Sequence, residues 1–143
     1  SPLTAIHAAD GRIQAVDYAS AGRATRVETR AVILAAGGFE SGALELDSYG
    51  AVADTVCGLP VMGPTGQLLH ADFWGDEQPL FLAGLAVDDS MRVVDDTGTP
   101  VYTNLFAAGG NLAGATRWRE KSGEGIALAS ALAAVDAIVE ELK

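Results

Sequence analysis

The chain has 143 residues, 49% of them hydrophobic, with 19 acidic against 9 basic residues and a formal net charge of −10. That length fits one domain burying roughly two-thirds of its unfolded surface, and the acidic balance argues against nucleic acid or an anionic membrane as a direct partner. Cys57 is the only cysteine, and His7 and His70 are the only histidines, so an internal disulfide, a cysteine-ligated cluster and a zinc site are all excluded and no metal is expected.

Leu3–Ala8 and Arg12–Tyr18 alternate apolar and polar residues across Ala9-Asp10-Gly11, which predicts a hairpin. Ala21-Gly22 turns the chain into Arg23–Thr29, giving an antiparallel three-stranded meander with Arg23, Arg26 and Arg30 on a solvated face. Ala31-Val32-Ile33-Leu34 is apolar on both faces and reads as a buried strand, parallel to its neighbours. Residues 41–79 read as a short irregular cap, with Phe73 and Trp74 expected to anchor it to the body rather than line a pocket.

Strands are then predicted over Leu80–Val87, Met91–Val94 and Tyr102–Ala107. They are separated by the turns Asp88-Asp89-Ser90 and Asp95-Asp96-Thr97-Gly98. The acidic pairs lack the ordered oxygen ligands of a calcium loop and are read as turn chemistry. A helix is predicted over 122–143, N-capped by Ser122, with Glu124 in its first turn. It is apolar around its circumference from Ile126 to Val139, so it is expected to be buried. No run reaches the ~18 apolar residues of a membrane span.

One pattern occurs twice. Ala35-Ala36-Gly37-Gly38-x-x-x-Gly42-Ala43 follows one apolar run, and Ala107-Ala108-Gly109-Gly110-x-x-x-Gly114-Ala115 follows another 72 residues later. A strand that stops at a glycine pair lets backbone approach a flat ligand, because no Cβ holds it off. A single copy would be read as a tight turn. The second is followed by Ser122-Gly123-Glu124-Gly125 and the helix, the order that a ligand site at the carboxyl ends of parallel strands requires. The open amides of that helix start amount to about half a positive charge. At ~4 Å from a reduced ring's anionic edge this is worth roughly 2 kcal/mol at an effective dielectric of 20, or on the order of 80 mV for one electron.

The run Gly84–Asp88, Arg92–Val94, Thr99–Gly109 and Ser122–Ala127 resembles the carboxyl-terminal part of flavoproteins of the fumarate-reductase and glutathione-reductase type. Ala31–Gly38 is similar to their second flavin-contacting strand. Cys57-Gly58-Leu59-Pro60, Ala71-Asp72-Phe73-Trp74 and the short cap resemble, more closely, the B-subunit family of anaerobic glycerol-3-phosphate dehydrogenases.

The resemblance implies an α/β fold: the carboxyl-terminal part of an FAD/NAD(P)-binding, Rossmann-like domain carrying the meander and the short cap. Residues 1–40 and 80–143 would form the flavin-binding domain and 41–79 the cap. It implies flavin, as FMN or FAD, held at Ala36, Gly37, Gly38, Gly109, Gly110, Asn111, Gly123, Glu124, Gly125 and Ile126. It further implies oxidation of glycerol 3-phosphate to dihydroxyacetone phosphate, with electrons passed toward quinone. The partners would be the catalytic flavoprotein and the iron–sulfur protein of the same complex, at the inner face of the cell membrane. The short cap favours an electron-relay role, and a cofactor-free scaffold or another flavoenzyme on this framework are the alternative readings.

A G-x-G-x-x-G turn is missing from the sequence. Gly110 stands where many relatives place a carboxylate for the ribityl chain. These departures lead us to expect the carboxyl-terminal fragment of a longer protein, a largely empty flavin site in it, and self-association through uncovered apolar faces. Arg117 or Arg119 could stabilise reduced flavin and Trp118 could stack on it; the alternative is a solvated loop whose charges pair among themselves. The residues name no catalytic base. One cysteine points to an intracellular location, and the lysine-poor acidic surface suits high salt.

Overall fold

The computed structural model describes residues 3–143. Strands β1 (Leu3–Ala9), β2 (Arg12–Ser20) and β3 (Arg23–Glu28) form the expected meander. Two-residue turns at Asp10-Gly11 and Ala21-Gly22 join them, all four residues having positive φ, which matches the twist of the flanking strands. Ile13 and Ala15 point into the core, while most of β3 is exposed. On the meander, Arg26 binds both carboxylate oxygens of Asp17 at 2.7 and 2.9 Å, and His7 lies 2.8 Å away. These contacts hold the Asp17 carboxyl well below the usual range.

β4 (Val32–Leu34) pairs in parallel with β7 (Leu105–Ala107), Ile33 opposite Phe106. Both are apolar on both faces, as a parallel pair requires. The core gathers Ile13, Leu34, Leu59, Leu85, Val93, Leu105, Ala107 and Leu112 around them. Asn104, just before β7, is buried and ties the meander to this pair through hydrogen bonds to Ile13 and Arg30.

Several expectations need correction. Residues 80–87 do not form a strand. Pro79–Leu82 is a turn of 3₁₀ helix, and Gly84, Leu85 and Val87 make only isolated bridges. Proline at the start of that turn favours the tight helix. Met91–Val94 likewise contributes isolated bridges to Val87, Phe106 and Pro100, because Met91 has φ +65° and breaks the ladder. The Tyr102–Ala107 strand shortens to β7, since the residues before it form a turn in which the Leu105 amide donates to the Tyr102 carbonyl at 3.3 Å. Both acidic turns form as read: Asp88 Oδ1 accepts from the Ser90 and Arg92 amides, and Asp95 Oδ1 from those of Thr97 and Thr99.

The cap is more regular than expected, containing the antiparallel hairpin β5 (Leu44–Leu46) and β6 (Val52–Asp54). Asp47 Oδ1 organises its turn by accepting from the Tyr49 and Ala51 amides. Further along, Gln78 is fully buried; its Oε1 accepts from the His70 amide, and its Nε2 donates to the carbonyls of Asp72 and Phe73.

A short helix α1 (Arg117–Glu120) precedes the long α2 (Gly123–Glu141). The expectation that α2 is buried is wrong. Within it only Ser130 and Ala134 are buried, and Leu128 is 74% and Leu132 59% exposed. The body offers one narrow wall, against which the small residues pack, so the larger apolar residues are left on the opposite side. The Ser122 side chain also makes no capping bond; its carbonyl accepts from the Ile126 amide at 2.9 Å instead. No helix among the described residues is long and apolar enough to cross a membrane.

Candidate functional site

The two glycine pairs follow neighbouring parallel strands, so they lie side by side. Gly37 and Gly109 adopt φ +85° and +82°, and Gly42 and Gly114 adopt +75° and +77°, so the sequence repeat is also a repeat of backbone conformation. L side chains rarely adopt such angles, which accounts for glycine at the first position of each pair. Gly38 is glycine for a different reason: a Cβ there would meet the Gly110 carbonyl oxygen at 2.5 Å. Ser41 Oγ secures the first turn by donating to the Ala36 and Gly38 carbonyls.

The start of α2 joins this crease. Ser130 Oγ accepts from the Gly109 amide at 2.9 Å and donates to the Ile126 carbonyl at 2.6 Å. A Cβ at Gly109 would touch that of Ala127 at 3.9 Å. The Arg117 side chain spans the second glycine pair and the start of α2. Its guanidinium carbon lies 3.3 Å from where a Gly110 Cβ would stand, and its Cδ lies 3.6 Å from that of Gly123. Asn111 is buried beside Gly110, its Nδ2 donating to the Leu34 carbonyl at 3.2 Å while its Oδ1 has no partner.

Thus the structure brings together Gly38, Gly109, Gly110, Asn111 and Gly123. Ala36 and Gly37 line the exit of β4, half-buried. Ile126 is half-buried and faces the crease through its carbonyl, whereas Glu124 and Gly125 are exposed.

From Gly110 a cleft of about 470 Å³ opens toward the cap. Phe73, Trp74, Phe81 and Trp118 form a cluster on it. Phe73 stacks on Trp118 with centroids 5.5 Å apart and planes at 25°, and Trp74 meets Phe73 edge-on at 5.1 Å. Phe73 thus anchors the cap through Trp118, but against expectation both it and Trp74 line the cleft, Trp74 standing 81% exposed at the mouth. The Trp118 indole Nε1 is buried without a partner.

The charges of α1 do not pair among themselves. Arg117 donates to Glu40 at 2.6 Å, and Arg119 donates to the Gly75 carbonyl at 2.9 Å. Arg117 thus holds the turn after β4, and Arg119 holds the cap. Phe39, Glu40 and Phe81 were missed as site residues; the only signal for them was aromatic enrichment around the cap. Cys57 lies outside the cleft, and burial together with the nearby Asp54 carboxylate pushes its thiol up to about 12. No cluster of metal-ligating side chains occurs among the described residues.

The arrangement fits a flat ring carrying both donors and acceptors. It has an aromatic wall, a crease without Cβ atoms, an unpartnered donor on Trp118 and an unpartnered acceptor on Asn111. Residues 60–126 match the family described as FAD binding domain. That span, slightly under half of the chain, carries the second glycine pair, α1 and the start of α2, and this part of the chain is similar to FAD-binding domains. Comparison with curated proteins and with solved structures gives no match.

Proposed function

We propose that this chain supplies the ring-facing part of a flavin site in an oxidoreductase. The observation that carries the reading is the abutment of Gly38 on Gly110 across the parallel pair β4–β7, with the aromatic cleft opening directly from it. Flavin supplies hydride or single-electron transfer when bound. Gly37, Gly38, Gly109 and Gly110 would admit it to the backbone; Asn111 Oδ1 and Trp118 Nε1 are free to pair with polar atoms on its edge. The aromatic cluster would exclude water, and Arg117 would balance negative charge.

The resemblance in the cap and the Ala-Ala-Gly-Gly strand ends supports a finer reading. In it, the protein takes part in oxidising glycerol 3-phosphate to dihydroxyacetone phosphate and passes electrons toward quinone. It would do so beside a catalytic flavoprotein and an iron–sulfur protein of the same complex, at the inner face of the cell membrane.

Both tryptophans of the chain line the cleft, which gives a direct test. Titrating FMN or FAD into the chain should quench tryptophan emission saturably. Gly110→Ala should weaken that binding at least tenfold while leaving the fold intact, because its Cβ meets only the flexible Arg117 side chain. Absence of quenching by either flavin at millimolar concentration would defeat the proposal.

A further inference from the structure

Three of the four phenylalanines and both tryptophans of the chain line the cleft beside Gly110. Among the described residues its only charged lining residues are Arg117 and Glu40, joined at 2.6 Å. The two are not equally placed. The Arg117 side chain is packed over Gly110 and Gly123 and is 35% exposed, whereas the Glu40 side chain is 79% exposed. An exposed carboxylate leaves such a pair at little cost, so the cation stays in the cleft and its partner is exchangeable. Trp74 stands 81% exposed at the mouth, and the Trp118 Nε1 donor is buried without an acceptor. An unpartnered buried donor is costly, as is an uncovered indole face.

We propose that this cleft binds a flat aromatic anion. Its ring would cover Trp74 and Phe81, and its carboxylate or phosphate would replace Glu40 on Arg117. Glu40 is then a built-in competitor, holding the guanidinium in place until an anion arrives. Neutral aromatic molecules find no use for the cation and must leave the ion pair intact, so the cleft selects for charge as well as shape. The cleft borders the place proposed for flavin, and a ligand here would meet that ring as a reactant. That role, unlike the binding itself, rests on the flavin reading.

The probes are 2-naphthoate and its neutral counterpart 2-naphthamide, titrated into the ¹⁵N-labelled chain while the two indole N–H signals are followed. Naphthoate should move both signals and bind at least tenfold more tightly than the amide. Glu40→Gln should tighten naphthoate binding about two- to fivefold, the value of an exposed ion pair released. Arg117→Gln should erase the preference for the acid, and Arg117→Lys should keep part of it. Leu132→Gln, on the far side of α2, should change nothing. Equal binding of acid and amide, weaker binding by Glu40→Gln, or unmoved indole signals at the solubility limit would each overturn the proposal. Flavin quenching without a naphthoate effect defeats this proposal alone; naphthoate binding without flavin quenching defeats the flavin reading alone.

Discussion

The carboxamide of Asn104 closes on both backbone groups of Ile13: its Oδ1 accepts from the Ile13 amide at 2.8 Å and its Nδ2 donates to the Ile13 carbonyl at 2.8 Å. The same Nδ2 donates to the Arg30 carbonyl at 2.9 Å. One side chain thus plays the part of a missing strand between the meander and β7. Asn104→Ala strands these buried groups, each costing about 1–3 kcal/mol when unsatisfied, and should lower stability by about 2–4 kcal/mol. Urea unfolding measures this, and a loss below about 0.5 kcal/mol, the size of an ordinary surface substitution, would show that the meander is held by other contacts.

Gly38 and Gly110 look equivalent in sequence and are not equivalent in space. An alanine at 38 drives its methyl into the Gly110 carbonyl, while an alanine at 110 meets only the mobile end of Arg117. Gly38→Ala should therefore cost about 1–3 kcal/mol through backbone displacement, whereas Gly110→Ala should cost less than about 1 kcal/mol. The order of the two melting temperatures decides the matter, and equal losses would contradict the abutment of the two turns.

The meander and the parallel pair were legible because each rests on a local signal: alternation with turn residues, or a short run apolar on both faces before glycine. The convergence of Gly38 with Gly110 was legible because two identical strand ends must lie together if their strands pair. The fate of α2 was not. Apolar residues all round its circumference indicate a helix that could be covered on every side, but periodicity does not say how many walls the rest of the chain provides. The segments at 80–87 and 91–94 read as strands for a related reason. They are apolar and extended, yet a 3₁₀ turn at Pro79–Leu82 and the positive φ of Met91 break them into single bridges. The aromatic cleft was hidden because Phe39, Phe73 and Trp118 are far apart in sequence and meet only once the cap folds back.

Leu128, Leu132, Val135, Val139 and Leu142 are exposed along α2 at alternating spacings of four and three residues, a continuous apolar stripe of the kind that associates. We expect the chain to self-associate through it. Sedimentation velocity should show a concentration-dependent shift that Leu132→Gln together with Val135→Gln suppresses. Stability should stay within about 0.5 kcal/mol for each change at these exposed positions. A monomer across the micromolar range in the unaltered chain would remove the case for association.

Cys57 is half-buried, next to an Asp54 carboxylate that accepts from the Val56, Cys57 and Leu59 amides. Burial, then Asp54, raises its thiol from 9.0 to about 12. Only the thiolate attacks alkylating reagents, so at pH 8 the native thiol should react roughly a thousandfold more slowly than the unfolded one. The linkage has a definite sign. The folded state favours the protonated thiol, so this contribution to stability is complete below pH 9.0 and is lost as pH rises toward about 12. Unfolding measured at pH 8 and pH 10.5 should show a loss in the unaltered chain that Cys57→Ala reduces. Rapid alkylation of the native chain at pH 8, at the rate of the urea-unfolded chain, would place the thiol in solvent and overturn the expectation.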